Sequence, residues 1–132
     1  VLESVKIQAP YIKTAALLGQ FTFKSINDSV PSPWLNGIHF ENSGSTALTM
    51  LKKAENYVDI FSPSWRLIMP EDSLFLGNTV NELKNNGFPV IPWTINRTKT
   101  MEKVILQGVD GIITDYPDSL LMVMKKMGII KR

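Results

Sequence analysis

The segment from Gly87 to Leu121, GFPVIPWTINRTKTMEKVILQGVDGIITDYPDSL, constrains the fold more than any other part of the chain. It contains two short apolar strands, predicted at Val90–Ile95 and Val109–Thr114, with one amphipathic helix between them. A compact alternation of strands and helices is typical of a parallel sheet covered by helices. Pro92 lies inside the first of these strands and removes one backbone donor, so we expect a bulge or an unpaired position there.

The preceding part of the chain repeats the alternation. Two earlier strands are predicted at Tyr11–Leu18 and Tyr57–Phe61. A helix capped by Ser45 leads into the second of them. A shorter helix begins at Asn78 or Thr79 and leads into the strand that follows. The sequence therefore predicts four strand–helix units in succession.

The last two helices are predicted from their end signals. One begins at Thr98 and ends at Gly108. The other takes Asp115 as its N-cap and Pro117 in its first turn. Its apolar stripe is expected to be core packing and comprises Leu120, Leu121, Met124 and Met127.

The connections differ in length on the two sides of the predicted sheet. Those from helix to strand are short, whereas two long ones, Gln20–Gly44 and Ser62–Gly77, both follow strands. In α/β barrels and open α/β sheets, the loops after the strands build the active face. The first long connection is either a surface loop held by its aromatic residues or a binding loop, and the sequence leaves both open.

Composition excludes several classes of function. The chain of 132 residues is one domain in length, and its net charge of +2 is too small to argue for nucleic acid or an anionic membrane, so we expect no nucleic-acid partner. It has no cysteine, which rules out disulfides, thiolate catalysis and cysteine metal sites. No apolar run approaches the roughly 20 residues of a membrane-spanning helix.

Four such units fit two architectures, a small open doubly wound sheet or half of an eight-stranded barrel. A complete barrel needs about 200–250 residues. Leu2, Val5 and Ala9 have helical spacing, so we expect the sequence to start within a helix, and this favours the half-barrel. Half a parallel barrel exposes two sheet edges and an apolar concave face, so it needs a missing segment or a partner.

The segments FPVIPWTIN, residues 88–96, and GVDGIITDYPD, residues 108–118, resemble the last two barrel units of glycerophosphodiester phosphodiesterases. The resemblance is specific over Gly87–Leu121 and weaker over the two earlier strands. It implies that residues 1–132 are the C-terminal half of a TIM (β/α)8 barrel, about four β/α units.

The same resemblance implies hydrolysis of a glycerophosphodiester to glycerol 3-phosphate and an alcohol, assisted by a divalent cation, Mg2+ or Ca2+. In the family, two histidines and the carboxylate ligands lie in the N-terminal half, in His-Arg-Gly and Glu-x-Asp motifs that this sequence lacks. The single histidine, His39, matches no family position, and with Glu41 it does not make a metal site. We expect no catalytic or metal-binding residue in this chain.

What the resemblance leaves to this chain is the substrate side of the barrel mouth. Trp93 falls where the family places an aromatic residue against the glycerol end of the substrate, although a buried tryptophan is the alternative. Asn96 and Asp115 close their strands on the same face and either bind substrate or cap the following helix. Ser62 and Trp65 are weaker candidates at the mouth.

Two functions follow from this interpretation. In the first, the intact protein is a glycerophosphodiester phosphodiesterase completed by an N-terminal half-barrel. In the second, the chain is a non-catalytic half-barrel that binds a ligand and pairs with itself or with another chain.

Overall fold

The computed structural model describes residues 1–19, Thr22 and residues 46–131. The predicted long connection Gln20–Gly44 lies, but for Thr22, outside the described residues. The elements in chain order are helix α1 (Leu2–Gln8), strand β1 (Ala15–Leu18), helix α2 (Ala47–Lys53), strand β2 (Ile60–Pro63), a 3-10 helix (Trp65–Ile68), and helices α3 (Val80–Asn85), α4 (Thr98–Leu106) and α5 (Pro117–Lys126). None of these helices has the length and apolar character needed to cross a membrane.

Strands β1 and β2 pair in parallel, which confirms the predicted α/β class. Both begin later than predicted, because turns occupy the residues before them. The backbone N–H groups of Tyr57 and Val58 donate to the Ala54 carbonyl at the end of α2, and that of Ile12 donates to the Ala9 carbonyl after α1. Residues in those turns cannot enter the ladder until the chain straightens.

The predicted third and fourth strands, Val90–Ile95 and Val109–Thr114, are not regular strands in the structure. The first of them continues the parallel pairing beyond β2 through two isolated bridges, Phe61 with Val90 and Ser64 with Trp93. The interruptions have a chemical cause, because Pro63 in β2 and Pro92 in the predicted third strand have no backbone N–H to donate. We call these two stretches the third and fourth segments of the sheet.

The hydrogen bonds beside Pro92 show a bulge, but its extra residue lies in the fourth segment and not at Pro92 itself. The Asp110 N–H donates to the Val90 carbonyl at 2.9 Å, and the Ile113 N–H donates to the Pro92 carbonyl at 3.0 Å. An advance of two residues along the third segment is therefore matched by three along the fourth, which is the definition of a bulge. The extra residue lies where the missing Pro92 donor breaks the regular ladder.

One face of the sheet carries the hydrophobic core. Alternate residues of a strand point to opposite faces, so Leu18, Phe61 and Val90 share one face, and all three are at most 2% exposed. Helices α2, α3 and α4 cover this face with their own buried residues, which are Ala47, Met50, Leu51, Val80, Leu83, Met101 and Val104. The core thus lies between the sheet and the helices, as in barrel and doubly wound folds.

The opposite face, which we call the inner face, carries exposed apolar side chains in the part of the chain that the structure describes. Leu17, in the middle of β1, is 63% exposed, and Ile113 of the fourth segment is 45% exposed. Between them, Ile91 lies beside Gly111, where a Cβ would come within 3.5 Å of the Ile91 side chain. An apolar sheet face open to solvent is unusual in a self-contained α/β domain, where helices cover both faces.

Helix boundaries follow the local signals. Thr79 and Glu82 form a reciprocal capping box at the start of α3. Gly87 and Gly108 each have a φ of +89°, a conformation that glycine adopts readily, and so end the turns after α3 and α4. Helix α4 begins at Thr98 as predicted.

Three details of the helices were wrong. Helix α2 is capped by Thr46 rather than by Ser45, which lies outside the described residues. Helix α5 has Tyr116 as its N-cap, without a side-chain bond, so Asp115 is one residue too early to cap it. In the α5 stripe, Leu120, Met124 and Met127 are partly buried, but Leu121 is 50% exposed and the fully buried residue is Val123.

Two aspartates hold together the amino ends of neighbouring strands. Asp59 Oδ2 accepts the backbone N–H of Thr14 at 2.8 Å, just before β1, and forms an ion pair with Lys6 at 2.6 Å. Asp110 Oδ2 accepts the backbone N–H of Val90 at 2.8 Å. Each aspartate directly follows a valine and lies at or just before the start of its own strand or segment. Its carboxylate accepts the backbone N–H at the start of the neighbouring strand or segment that comes earlier in the chain. These bonds fix the register at the end of the sheet away from the long connections.

We predict that Asp59→Asn destabilises the fold by about 2 kcal/mol at pH 7, because hydrogen bonds to a charged group are the stronger kind. The hydrogen bond from Lys6 holds the pKa of the Asp59 carboxyl far below its usual range. A lowered folded-state pKa means that the ionised carboxylate stabilises the fold above the ordinary value of about 4, and that this contribution is lost as pH falls below it.

Chemical denaturation between pH 7 and pH 3 measures the effect. The exposed Glu55 supplies a control, Glu55→Gln, which removes one carboxylate with little change in stability. A cost for Asp59→Asn that stays equal across this range would contradict the assigned ion pair.

Candidate active-site face

The carboxyl ends of the two strands and of the two further segments meet at one edge of the sheet because all run in parallel. Gly19 follows β1, Ser64 follows β2, Trp93 belongs to the third segment and Asp115 ends the fourth. This edge, which we call the mouth, is where ligands bind in parallel α/β sheets. The sequence placed its candidates Trp93, Asn96 and Asp115 here, and the structure brings them to this common edge.

Trp93 is held across three neighbouring strands. Its backbone N–H donates to the Pro63 carbonyl at 2.9 Å, and its carbonyl accepts the Trp65 N–H at 3.1 Å. Its indole Nε1–H donates to the Ser62 carbonyl at 2.9 Å. The far edge of the ring lies over the end of β1, beside Gly19. Trp93 is only partly buried, so the ring is fixed in orientation but retains an accessible surface.

Asn96 and Asp115 bond to each other and so join the ends of the third and fourth segments. Asn96 Nδ2 donates to Asp115 Oδ2 at 2.8 Å, while Asn96 Oδ1 accepts the Asp115 N–H at 3.0 Å and the Thr114 hydroxyl at 3.2 Å. Both residues are exposed. Among the described residues, Asp115 Oδ1 and the second Asn96 Nδ2 hydrogen have no further hydrogen-bond partner, so one acceptor and one donor remain at this exposed pair.

The two weaker candidates lie in different surroundings. The Ser62 side chain is 2% exposed and its hydroxyl donates to the Ile91 carbonyl at 2.7 Å, so this hydroxyl is engaged within the sheet. Trp65 is partly buried and opens the 3-10 helix that follows β2. Trp65 therefore borders the mouth, whereas Ser62 lies beneath it.

A shallow cleft of about 270 Å³ opens beside the mouth. It separates the 3-10 helix from the start of α4, and it contains Arg97, an exposed cation that the sequence analysis did not single out. Its lining residues are Trp65, Thr94, Ile95, Asn96, Arg97 and Thr100. The sequence could have indicated a role for Arg97 only through its position, since it directly follows the polar end of the third segment.

The long connection after β2 is anchored rather than open. Arg66 forms a two-bond ion pair with Asp72, Nε to Oδ2 at 2.8 Å and Nη2 to Oδ1 at 3.1 Å. The Arg66 guanidinium holds the pKa of the Asp72 carboxyl below its usual range. Leu67 and Ile68 are buried beneath the same turn. Sequence analysis missed this ion pair because nothing in the spacing of an arginine and an aspartate in a loop specifies that they meet.

The described residues do not bring together three or more histidine, cysteine, aspartate or glutamate side chains that could hold a metal ion. Asp115 is the carboxylate that the mouth carries in this part of the chain, and one of its oxygens is bonded to Asn96. His39 and Glu41 lie outside the described residues. The side chains that the structure places at the mouth suit recognition of a polar ligand by an aromatic ring and an amide–carboxylate pair.

Comparison with known families identifies the family of this chain. The profile of the Glycerophosphoryl diester phosphodiesterase family matches residues 31–119, more than half of the chain. The chain belongs to this family. The matched range includes Trp93, Asn96 and Asp115, together with the cleft beside them.

Two relatives match over part of their length. A glycerophosphodiester phosphodiesterase from Caldanaerobacter subterraneus subsp. tengcongensis is 45% identical over 58 residues, which are 41% of this chain and 24% of the relative. YhdW from Bacillus subtilis (strain 168) is provisionally named a glycerophosphodiester phosphodiesterase. It is 27% identical over 99 residues, which are 75% of this chain and 37% of the relative. The chain thus spans between a quarter and two-fifths of the length of these family members.

Solved structures of the same kind share the fold. A protein from Silicibacter pomeroyi DSS-3, provisionally named a glycerophosphoryl diester phosphodiesterase, superposes with a TM-score of 0.65 at 24% identity and covers 96% of this chain and 35% of its own. A phosphodiesterase from Oleispira antarctica, solved with its product sn-glycerol-3-phosphate, gives a TM-score of 0.55 at 19% identity, over 94% of this chain and 38% of its own. The superpositions therefore cover nearly all of this chain and 35–38% of the two solved chains.

The junction between Asn96 and Asp115 can be tested by a charge change. We predict that Asn96→Asp costs roughly 1 kcal/mol at pH 7, since two carboxylates then face each other at an exposed site. The cost should shrink below about pH 4, where carboxyl groups take up protons. Urea unfolding at pH 7 and pH 3.5 measures it, with Asn56→Asp, at an exposed position outside the junction, as the matched control. An equal cost for both variants at both pH values would show that the junction does not stabilise the fold.

Proposed function

We propose that this chain is the C-terminal half of a TIM barrel that, in the intact protein, hydrolyses glycerophosphodiesters to glycerol 3-phosphate and an alcohol. The main support is that a chain of the phosphodiesterase family has, at its mouth, both the Trp93 ring in a fixed orientation and the Asn96–Asp115 pair. In this proposal the chain supplies the substrate side of the site, and the groups that perform the hydrolysis come from the other half of the barrel.

The coverage of the solved structures supports the half-barrel. They account for 94–96% of this chain, while the chain accounts for 35–38% of them. The four parallel stretches also occur in sequence order across the sheet, from β1 through β2 to the third and fourth segments. A barrel has this order, because each strand lies beside the one before it.

Several of the exposed apolar residues support the same proposal, because they lie where a second half would pack. Leu17 and Ile113 lie on the inner face, at the two ends of the row of parallel stretches. Leu121 and Met122 project from α5, next to the fourth segment, and Ile7 projects from α1, next to β1. An N-terminal half-barrel would cover all three places and pair with the open edge of β1.

Trp93, Asn96 and Asp115 are assigned the substrate-binding roles. The accessible surface of the indole would pack against the carbon-bound hydrogens of the glycerol unit, where it excludes water. Asp115 Oδ1 would accept a hydrogen bond from a glycerol hydroxyl, and the free Asn96 Nδ2 hydrogen would donate to the same hydroxyl. Because each residue is already bonded to the other, the pair would meet the substrate in a fixed orientation. Trp65 would border this site without bonding to the glycerol.

A divalent cation, Mg2+ or Ca2+, belongs to the proposal for the intact protein only. The described residues do not fit such an ion, because the mouth offers Asp115 alone, and divalent cations bind to several oxygen ligands. We therefore assign no ligand and derive no step through the ion in this chain.

A second candidate is a non-catalytic half-barrel that pairs with a second copy of itself. Among the described residues β1 pairs on one side only, and this edge and the exposed Leu17 favour the second candidate, since unpaired edges and apolar faces are the usual starting points for association. Light scattering on the purified chain distinguishes the two. We expect concentration-dependent association that Leu17→Lys weakens, and a dimer that persists unchanged in this variant would indicate an interface elsewhere.

The proposal predicts that the 132-residue chain shows no glycerophosphodiesterase turnover with Mg2+, with Ca2+ or with EDTA. The assay measures glycerol 3-phosphate released from glycerophosphocholine. Metal-dependent turnover by the chain alone would overturn the assignment of the reacting groups to the other half of the barrel. The coding sequence upstream of Val1 gives an independent check through the expected His-Arg-Gly and Glu-x-Asp motifs.

A chimera tests the substrate side directly. Joining this chain to the N-terminal part of the Caldanaerobacter relative should give metal-dependent hydrolysis. Trp93→Ala in the chimera should lower kcat/KM at least roughly tenfold, the factor that 1.4 kcal/mol of lost contact produces. Lys52→Ala, an exposed change on α2, serves as the control. Equal activity of the Trp93→Ala and Lys52→Ala chimeras would remove Trp93 from the site.

A further inference from the structure

The orientation of the Trp93 ring depends on two residues that the proposed function does not use. The indole Nε1–H has the Ser62 carbonyl as its acceptor, at 2.9 Å, and the benzene edge of the ring lies over Gly19. One contact is made by β2 and the other by the residue that follows β1. The ring thus spans from the third segment over β2 to the end of β1, and its tilt is set at both ends.

Ser62 holds its end of the ring through an exchange of hydrogen-bond donors. The next residue is Pro63, so β2 has no backbone N–H to give to the third segment at this point. The Ser62 hydroxyl donates to the Ile91 carbonyl instead, at 2.7 Å. An unpaired carbonyl at this buried position would be costly, so the hydroxyl keeps the third segment against β2. The same residue then presents its own carbonyl to Trp93.

Gly19 holds the other end by leaving space. A Cβ at this position would lie 3.2 Å from Cη2 and 3.5 Å from Cζ2 of Trp93, the first being closer than side chains normally tolerate. Among the described residues, the glycines with a positive φ are Gly77, Gly87, Gly108 and Gly128, and Gly19 is not one of them. Since its backbone conformation is open to other residues, the chemical reason for a glycine here is room for the indole.

We infer that Gly19 and Ser62 are positioning residues for Trp93, and that they set the angle at which the indole meets the glycerol unit of the substrate. The inference rests on the proposed substrate role of Trp93. Neither residue touches substrate in this account. Gly19 lets the ring reach over β1, and Ser62 fixes the indole nitrogen, so a change at either position should turn the ring without removing it.

The test uses the 132-residue chain and follows the indole N–H signal of Trp93 by NMR, assigned with Trp93→Phe. We expect Gly19→Ala and Ser62→Ala to shift this signal, and Ser62→Thr, which keeps the hydroxyl, to restore it more nearly than Ser62→Ala. Gly111→Ala is the matched control, because its new methyl meets Ile91 at an ordinary 3.5 Å and lies away from Trp93. Thermal unfolding of each variant reports whether the fold is retained.

Binding of sn-glycerol 3-phosphate to the same variants supplies the functional measurement. We expect Gly19→Ala and Ser62→Ala to weaken binding roughly three- to tenfold, as suits a ring contact that is displaced rather than lost, with Gly111→Ala unchanged. A Trp93 signal unmoved by Gly19→Ala in a folded protein would overturn the positioning roles. If the signal moves but Trp93→Phe and Trp93→Ala bind sn-glycerol 3-phosphate like the unchanged chain, the positioning of the ring stands and the substrate role of Trp93 fails.

Discussion

The sheet of this protein depends on side chains that complete backbone hydrogen bonding where the backbone itself cannot. Prolines remove ladder donors at positions 63 and 92. Ser62 replaces the first with its hydroxyl, and a bulge in the fourth segment accommodates the second. At the amino ends, Asp59 and Asp110 accept the N–H groups with which the neighbouring stretches begin. The parallel register is therefore held by a few named side chains as much as by regular pairing.

The side chains that complete the backbone hydrogen bonding also shape the mouth. Because the Ser62 hydroxyl draws the third segment against β2, the Trp93 ring that follows falls over β2 and β1 rather than into solvent. The Asn96–Asp115 pair joins the next two carboxyl ends in a comparable way. Both devices hold a polar or aromatic group at the edge of the sheet in one orientation. This is the arrangement that a binding site needs.

The sequence predicted the alternation of strands and helices, the start of α4 at Thr98, its end at Gly108, and an irregular ladder at Pro92. These features have local causes, since propensity, capping chemistry and the missing proline donor act within a few residues. Strand boundaries were predicted less well, because turns after α1 and α2 displaced the starts of β1 and β2. Asp115 lies at the mouth as predicted, but it is not the N-cap of α5. Its partner is Asn96, which is far away in sequence. The Gly19 and Trp93 contact has the same character, and no pattern of spacing could reveal it.

The repeated valine–aspartate pairs at 58–59 and 109–110 have a consequence for the register of the sheet. Each aspartate aligns its own strand or segment with the one before it, so β1 with β2, and the third segment with the fourth, form two pairs. The Ser62 hydroxyl and the Trp93 backbone align one pair with the other. A shift between the pairs would therefore break the contacts of β2 with the third segment and leave both aspartate bonds intact.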